Sequence, residues 1–246
     1  MRILVPVKRV IDPYAKVKPL PDGSGIDFTG AKFEINPFDE IALEEAVRIK
    51  ERSPETELIA ISIGGPECEE QLRKALAIGA DKAILVETTA PIDPPGVAGE
   101  LAAWVRELNP DLVIMGKQAT DDDCNQAGQM LSAKLGRPQA TFACKIELAE
   151  GKARVTRETD KGTETLEFEL PGVVTTDLRL NEPRYVALPG IIKARTKPLE
   201  RRAPLTTWRL KTRVVGVAAP PARGAGKRVA SVDDLVSELR SKGVLA

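Results

Sequence analysis

Short apolar runs alternate with segments of helical period through the first half of the chain. Residues 3–7 read as a first strand. Between residues 36 and 52, Ile41, Leu43, Ala46, Val47 and Ile49 make one apolar face among Glu and Lys, which predicts a helix opening near Asp39. Residues 58–63 predict a second strand, stopped by Gly64-Gly65-Pro66. From Glu67, the spacing of Leu72, Ala75 and Leu76 predicts a second helix, with Gly79 where a left-handed cap would sit. Residues 83–86 are a third strand. Val97, Leu101, Val105 and Leu108 recur at helical spacing up to Asn109-Pro110, and residues 112–115 form a further strand ending on Gly116. Strands and helices in strict alternation predict a doubly wound, Rossmann-like α/β fold with a mostly parallel sheet.

After Gln139 the period changes to two. Cys144, Ile146 and Leu148, then Ala153 and Val155, then Leu166, Phe168 and Leu170, are separated by turns at Glu150-Gly151 and Lys161-Gly162. These read as antiparallel hairpin strands extending the same sheet. From Asn181 prolines and basic residues replace the periodicity, until Ser231 opens a terminal helix with Val232, Leu235, Val236 and Leu239 on one face. The expected division is a nucleotide-binding domain over residues 1–202, including a loop at 181–200, and a C-terminal arm over 203–246. The arm has too little core of its own; it either lies on a partner or hangs as a linker with a loosely attached helix.

Composition narrows the function. With 36 Lys+Arg against 36 Asp+Glu, no net charge draws the chain to nucleic acid or an anionic membrane. It contains no histidine, which removes the commonest general base, the serine triads and the usual zinc sites; Cys68, Cys124 and Cys144 are not in metal-type spacing. No catalytic residue and no metal ligand is expected. No run approaches the ~20 apolar residues of a membrane span, and the N-terminus lacks signal-peptide character. A reducing compartment is expected, a bacterial cytoplasm, or a mitochondrial matrix in a eukaryote.

In such a sheet, ligands sit beyond the carboxyl ends of the strands. Three loops qualify: residues 6–8, residues 63–66, and the run Gly116-Lys117-Gln118-Ala119-Thr120-Asp121-Asp122-Asp123-Cys124-Asn125-Gln126. Gly116 would let a ligand approach the backbone, and a helix starting near Cys124 would offer free N–H groups to a phosphate. Three carboxylates aimed at that phosphate would repel it. They fit better as helix caps and acceptors for ribose hydroxyls, with the backbone of Asn125, Gln126 and Ala127 on the phosphate; a purely capping acidic turn is the other reading. Asn36-Pro37-Phe38-Asp39-Glu40 is likewise either a capped helix start or a ligand contact. Neither a dinucleotide fingerprint nor a P-loop is present.

Val7-Lys8-Arg9-Val10-Ile11-Asp12, Asn36-Pro37-Phe38-Asp39, Gly116-Lys117-Gln118 with residues 121–126, and the run Val174-Thr175-Thr176-Asp177-Leu178-Arg179-Leu180-Asn181-Glu182-Pro183-Arg184-Tyr185 resemble electron-transfer flavoprotein beta subunits over nearly all of residues 1–200. The family's signature also spans Val155, Arg157, Asp160, Gly162, Glu164, Leu166, Pro171 and Val173, with Lys161 departing from its usual small or acidic residue.

The resemblance implies an electron carrier, the small subunit of a heterodimer whose alpha subunit holds most of the redox FAD while the beta subunit binds a structural AMP. It implies partners in acyl-CoA and related dehydrogenases and in a flavoprotein-quinone oxidoreductase. Carried over, the AMP contacts are Pro6, Asn36, Phe38, Asp39, Ile63, Gly116, Lys117, Gln118, Ala119, Asp121, Asp122, Asp123, Cys124, Asn125, Gln126 and Ala127. Tyr14 is a candidate to approach the alpha-bound flavin. Leu188 matches the family's docking leucine, flanked by Pro189, Ile191, Ile192 and Lys193, and Glu158 matches a residue that contacts the flavin-bearing domain. By itself, the Leu188 stretch also reads as cover for a core edge. Two alternatives remain, a bifurcating beta subunit with a second FAD in place of AMP, and an adenine-nucleotide-hydrolase-like enzyme. Pro6-Val7-Lys8-Arg9 is a poor phosphate grip for the latter.

Overall fold

Every apolar run of the first half becomes a strand buried on both faces. The computed structural model describes residues 1–245 and divides into two units, Met1–Val17 with Phe28–Val214, and Lys18–Asp27 with the stretch from Val215. In chain order the elements are β1 (Arg2–Pro6), β2 (Arg9–Ile11), β3 (Lys18–Pro19), β4 (Ile26–Asp27), β5 (Phe33–Ile35), α1 (Pro37–Arg52), β6 (Glu57–Gly64), α2 (Glu69–Ile78) and β7 (Lys82–Glu87). They continue with α3 (Pro94–Leu108), β8 (Leu112–Gly116), α4 (Ala127–Leu135), β9 (Gln139–Ala149), β10 (Lys152–Thr159), β11 (Gly162–Glu169) and β12 (Gly172–Thr176). The last are α5 (Leu188–Ala194), β13 (Leu199–Arg202) and α6 (Val232–Ser241).

In the larger unit nine strands form one sheet in the order β11-β10-β9-β12-β8-β1-β6-β7-β13. From β9 to β13 neighbours run parallel, and β10 and β11 add the antiparallel wing. The chain steps outward from β1 through β6 to β7, then crosses back to place β8 on the other side of β1. That reversal makes the gap between β1 and β8 the switch point, where connections diverge to opposite faces. Period-two burial splits each strand between two cores. Ile3, Val5, Leu58, Ala60 and Leu85 pack with Leu43, Ala46, Leu72 and Leu76 of α1 and α2. Leu4, Ile59, Ile61, Ile84 and Val113 pack with Leu101, Trp104 and Val105 of α3 and Leu131 of α4.

Some expectations change in detail. The helix that was to open at Glu67 begins as a single 3₁₀ turn, Pro66–Cys68, and becomes α2 at Glu69. Gly79 has φ 163°, which is extended and not left-handed. Glycine is needed there because a Cβ would lie 2.6 Å from Val47 Cγ2, where α2 closes on α1. β12 and β13 had no counterpart in the periodicity. Residues 203–214, read as the start of the arm, belong to the larger unit.

The smaller unit consists of the β3–β4 hairpin, joined by Val217 N–H donating to Gly23 O (2.9 Å), and α6. As the sequence suggests, Ser231 caps α6, its Oγ accepting from Asp234 N–H (3.1 Å). No residue of α6 is buried, and Val232 is 75% exposed.

Candidate functional site

The three strand ends singled out in the sequence meet at the switch point. Pro6 at the end of β1 and Lys8 just beyond it, Ile63 near the end of β6, and Gly116 at the end of β8 with residues 117–119 beyond it line one cleft of about 850 Å³, its open mouth included. Ile63, Ile92, Val97, Leu101 and Met115 make its walls apolar, while Asn36, Gln118, Asn125 and Gln126 supply polar edges. An apolar slot with a few convergent polar groups is the usual form of a small-molecule site.

Asp39, in the first turn of α1, builds the cleft's base. Its Oδ2 accepts from Lys8 N–H (2.8 Å) and its Oδ1 from Gly116 N–H (3.0 Å), so one carboxylate ties the ends of the two switch-point strands together. Burial pushes the Asp39 carboxyl up to about 7, against the pull of those two N–H donors, Asn36 and the Lys8 charge. Folded Asp39 therefore holds a proton that the unfolded chain has released between about pH 4 and pH 7, and its contribution to stability declines as pH rises through that window. Asp39→Asn does not titrate. Urea midpoints of the variant and the parent, compared at about pH 5 and pH 8, should favour the parent less at the higher pH; a constant difference would contradict the assignment.

Asn36, only 1% exposed, pins the acidic loop: its Nδ2 donates to Gln118 O (2.8 Å) and its Oδ1 accepts from Thr120 N–H (3.3 Å). Although it is the N-cap of α1, its side chain does not cap the helix. Gly116 lines the cleft and also serves a contact that was not expected of it. A Cβ there would meet Asp39 Oδ1 at 2.4 Å and Phe38 Cβ at 2.7 Å, so the glycine admits α1 to β8.

The carboxylates also differ from expectation. Asp121 Oδ1 and Asp122 Oδ2 accept from Lys8 Nζ at 2.7 and 2.8 Å, and Asp122 Oδ1 accepts from Cys124 N–H (3.1 Å). They are counter-ions to Lys8 and turn formers, not helix caps. Burial alone would lower the Lys8 pKa, but the two carboxylates outweigh it and hold it above its ordinary value. The helix starts at Ala127 and not near Cys124, because Asp123 (φ 51°) and Asn125 (φ 48°) are left-handed and interrupt the turn. No side chain caps α4, so its first N–H groups, beside Gln126 and Ala127 of the cleft wall, stay available to an anion.

The remaining residues fall around this centre. Lys117 lines the cleft and also pairs with Asp177 (Nζ to Oδ2, 2.7 Å), its charge 4.9 Å from the Phe142 ring centroid. Phe38 is buried in α1 behind the cleft, with its carbonyl accepting from Thr176 Oγ1 (2.9 Å). Asp121 and Asp123 stand outside the lining, and Asp123 accepts from Gln118 Nε2. Tyr14, 94% exposed, is on the turn after β2, away from the cleft. Glu158 sits on β10, ion-paired with Arg179. Leu188 opens α5 and is 69% exposed; Ile191 and Ile192 are exposed beside it, with Pro189 at the helix start and Lys193 in its last turn. Leu188 is thus not core cover. The walls Ile92, Val97 and Leu101 escaped the sequence reading, since nothing in a helix period tells which apolar face meets a ligand.

The electron transfer flavoprotein domain matches residues 25–206. The chain belongs to the electron transfer flavoprotein family. It is 47% identical over 251 residues to "Electron transfer flavoprotein subunit beta" of Bradyrhizobium diazoefficiens, with 100% of both chains covered. It is 48% identical over 250 residues to the mitochondrial beta subunit of Arabidopsis thaliana (98% of each chain). It is 47% identical over 253 residues to the beta subunit of Homo sapiens (99% and 98%). The relatives of this electron transfer flavoprotein chain thus include mitochondrial and bacterial proteins. Among the described residues no helix is long and apolar enough to cross a membrane.

Proposed function

We propose that this chain is the AMP-binding, non-catalytic small subunit of a heterodimeric electron-transfer flavoprotein. It pairs with an alpha subunit that carries FAD, docks acyl-CoA-type dehydrogenases through Leu188, and so serves electron flow toward a flavoprotein-quinone oxidoreductase and the quinone pool. The observation that carries this reading is the cleft at the β1/β8 switch point. Its apolar walls suit an adenine ring, Asn36 and Asp39 order its base, and the uncapped start of α4 suits a phosphate. Lys8 engages both Asp121 and Asp122 and offsets part of their charge, which weakens the objection that an acidic loop would reject an anion. The exposed apolar face of α6 and its Ser231-capped start support a role for the terminal arm in pairing with the alpha subunit.

The test is nucleotide and flavin analysis of the chain co-expressed with its flavoprotein partner. One AMP and one FAD per heterodimer is the expected result. Two FAD and no AMP would replace the reading with the bifurcating one, and a nucleotide-free chain would overturn it.

A further inference from the structure

Residues 181–187, between β12 and α5, have no regular structure, yet side chains fix their path on α1. Asn181 Nδ2 donates to Ile41 O (3.1 Å) and to Glu45 Oε2 (3.2 Å). The Arg184 guanidinium forks across two carboxylates: Nε donates to Glu44 Oε2 (2.8 Å), and its terminal nitrogens donate to Glu51 Oε1 and Oε2 (2.6 and 3.1 Å) and to Glu44 Oε1 (3.1 Å). The Arg184 backbone N–H adds a further donor to Glu44 Oε2 (3.3 Å). Arg48, one turn along α1, binds Glu44 Oε1 (2.6 Å) and Glu182 O (2.9 Å).

The Glu44 side chain is only 3% exposed. A carboxylate at that depth is tolerated only when its oxygens are paired, and its partners come from Arg48 and from the segment that leads into α5. Leu188 follows Arg184 by four residues, a reach of at most about 14 Å, so the fork sets where the helix begins. Beyond Leu188 the helix is held from the other side. Arg73 of α2 donates to Ala194 O (3.0 Å) and Lys197 O (3.1 Å), and Gly190 passes so close to α2 that a Cβ would lie 2.6 Å from Ala77 O.

We propose that Arg184 is a positioning residue for partner docking: gripped by Glu44 and Glu51, it presents the Leu188 helix in one preset orientation. The inference rests on the docking role of Leu188 proposed above. A segment ordered in advance spares the encounter the entropy of ordering it, so loss of the fork weakens docking without changing electron transfer inside the docked complex. Such a residue moves KM and leaves kcat alone.

The experiment measures electron transfer from an acyl-CoA dehydrogenase to the co-expressed heterodimer, together with amide hydrogen exchange on the same preparations. The wild type is compared with Leu188→Ala, Arg184→Ala and Arg184→Lys. Arg184→Ala should raise KM for the heterodimer about tenfold with kcat within about twofold, and speed exchange over residues 185–194 about tenfold with β1 and β8 unchanged. Arg184→Lys should fall between, since lysine keeps the charge but cannot fork two carboxylates. The proposal is overturned when Leu188→Ala raises KM while Arg184→Ala leaves KM and local exchange at the wild-type level. An unchanged KM in Leu188→Ala would instead remove the docking reading, and exchange alone would then decide whether Arg184 holds the helix. Should Arg184→Ala not fold, Glu51→Gln removes only a half-exposed partner and should shift both readouts about threefold in the same direction; no shift overturns the proposal.

Discussion

Gly116→Ala should both destabilise the chain and empty the switch-point cleft. The added methyl would lie 2.4 Å from Asp39 Oδ1, 2.7 Å from Phe38 Cβ and 2.9 Å from the Phe38 carbonyl carbon. Two of those three atoms belong to the rigid first turn of α1, so no rotamer change relieves the clash and α1 must lift from β8. That movement stretches the Gly116 N–H to Asp39 bond and the Thr176 Oγ1 to Phe38 O bond at once. Overpacking of this kind costs about 3 kcal/mol, which for a chain of this size lowers Tm by about 6–12 °C. Because Asn36 and Asp39 move with the helix, the purified heterodimer should also retain little or no AMP. Gly99→Ala is the control: its methyl meets nothing within 4 Å in the middle of α3, and it should raise stability by up to about 1 kcal/mol through helix propensity. A Gly116→Ala protein with parental Tm and full nucleotide content would show that the contact between α1 and β8 is not tight.

The location of the cleft was legible because strand ends follow from apolar runs, and the switch point follows from the order of strands and helices. Its construction was not. Lys8 and its carboxylates are 113 and 114 residues apart, so the sequence showed only three adjacent acids beside a predicted helix, where capping is the local explanation. The true start of α4 depended on left-handed Asp123 and Asn125, a conformation these residue types permit without requiring it. Gly116 and Gly79 were read as backbone devices when both are places where two elements approach, which no single segment can reveal. β12 is a five-residue strand that returns between β9 and β8, and periodicity carries no information on lateral order. β13, Leu-Glu-Arg-Arg, has no apolar pattern because it is an edge strand whose side chains form surface ion pairs with Glu69 and Glu107. Arg184 and Glu44 stood in the sequence 140 positions apart, one in a distinctive run and the other among the Glu and Lys residues of the first helix, where nothing local marks it as buried.

Glu100→Ala is the second large effect, and it separates the attachment of residues 203–214 from the cleft. Glu100 is wholly buried on α3, where its carboxylate takes four donors: Trp104 Nε1 (2.9 Å), Leu205 N–H (2.7 Å), Thr206 N–H (2.9 Å) and Thr206 Oγ1 (2.5 Å). Asp93, the N-cap of the same helix, makes a second clamp through Gly96 N–H (3.2 Å) and Lys211 N–H (2.6 Å). Hydrogen bonds to a buried charge are the strong ones, and removing their common acceptor leaves the Trp104 indole N–H unpaired in the core, at a cost of about 3–5 kcal/mol. Residues 203–207 should then detach and become the first site cut in limited proteolysis, while Asp93 still holds Lys211. Val97 and Leu101 lie beside Glu100 on the same face of α3 and line the cleft, so a helix that keeps its place preserves nucleotide content, and one that tilts loses it. Glu100→Gln resolves the two cases: the amide keeps one acceptor oxygen for the backbone donors but turns its own N–H₂ toward the others, and should cost about half as much. Nicking near residue 205 with AMP retained is the expected outcome for Glu100→Ala; loss of AMP without nicking would mean that Glu100 supports α3 and not the chain that crosses it.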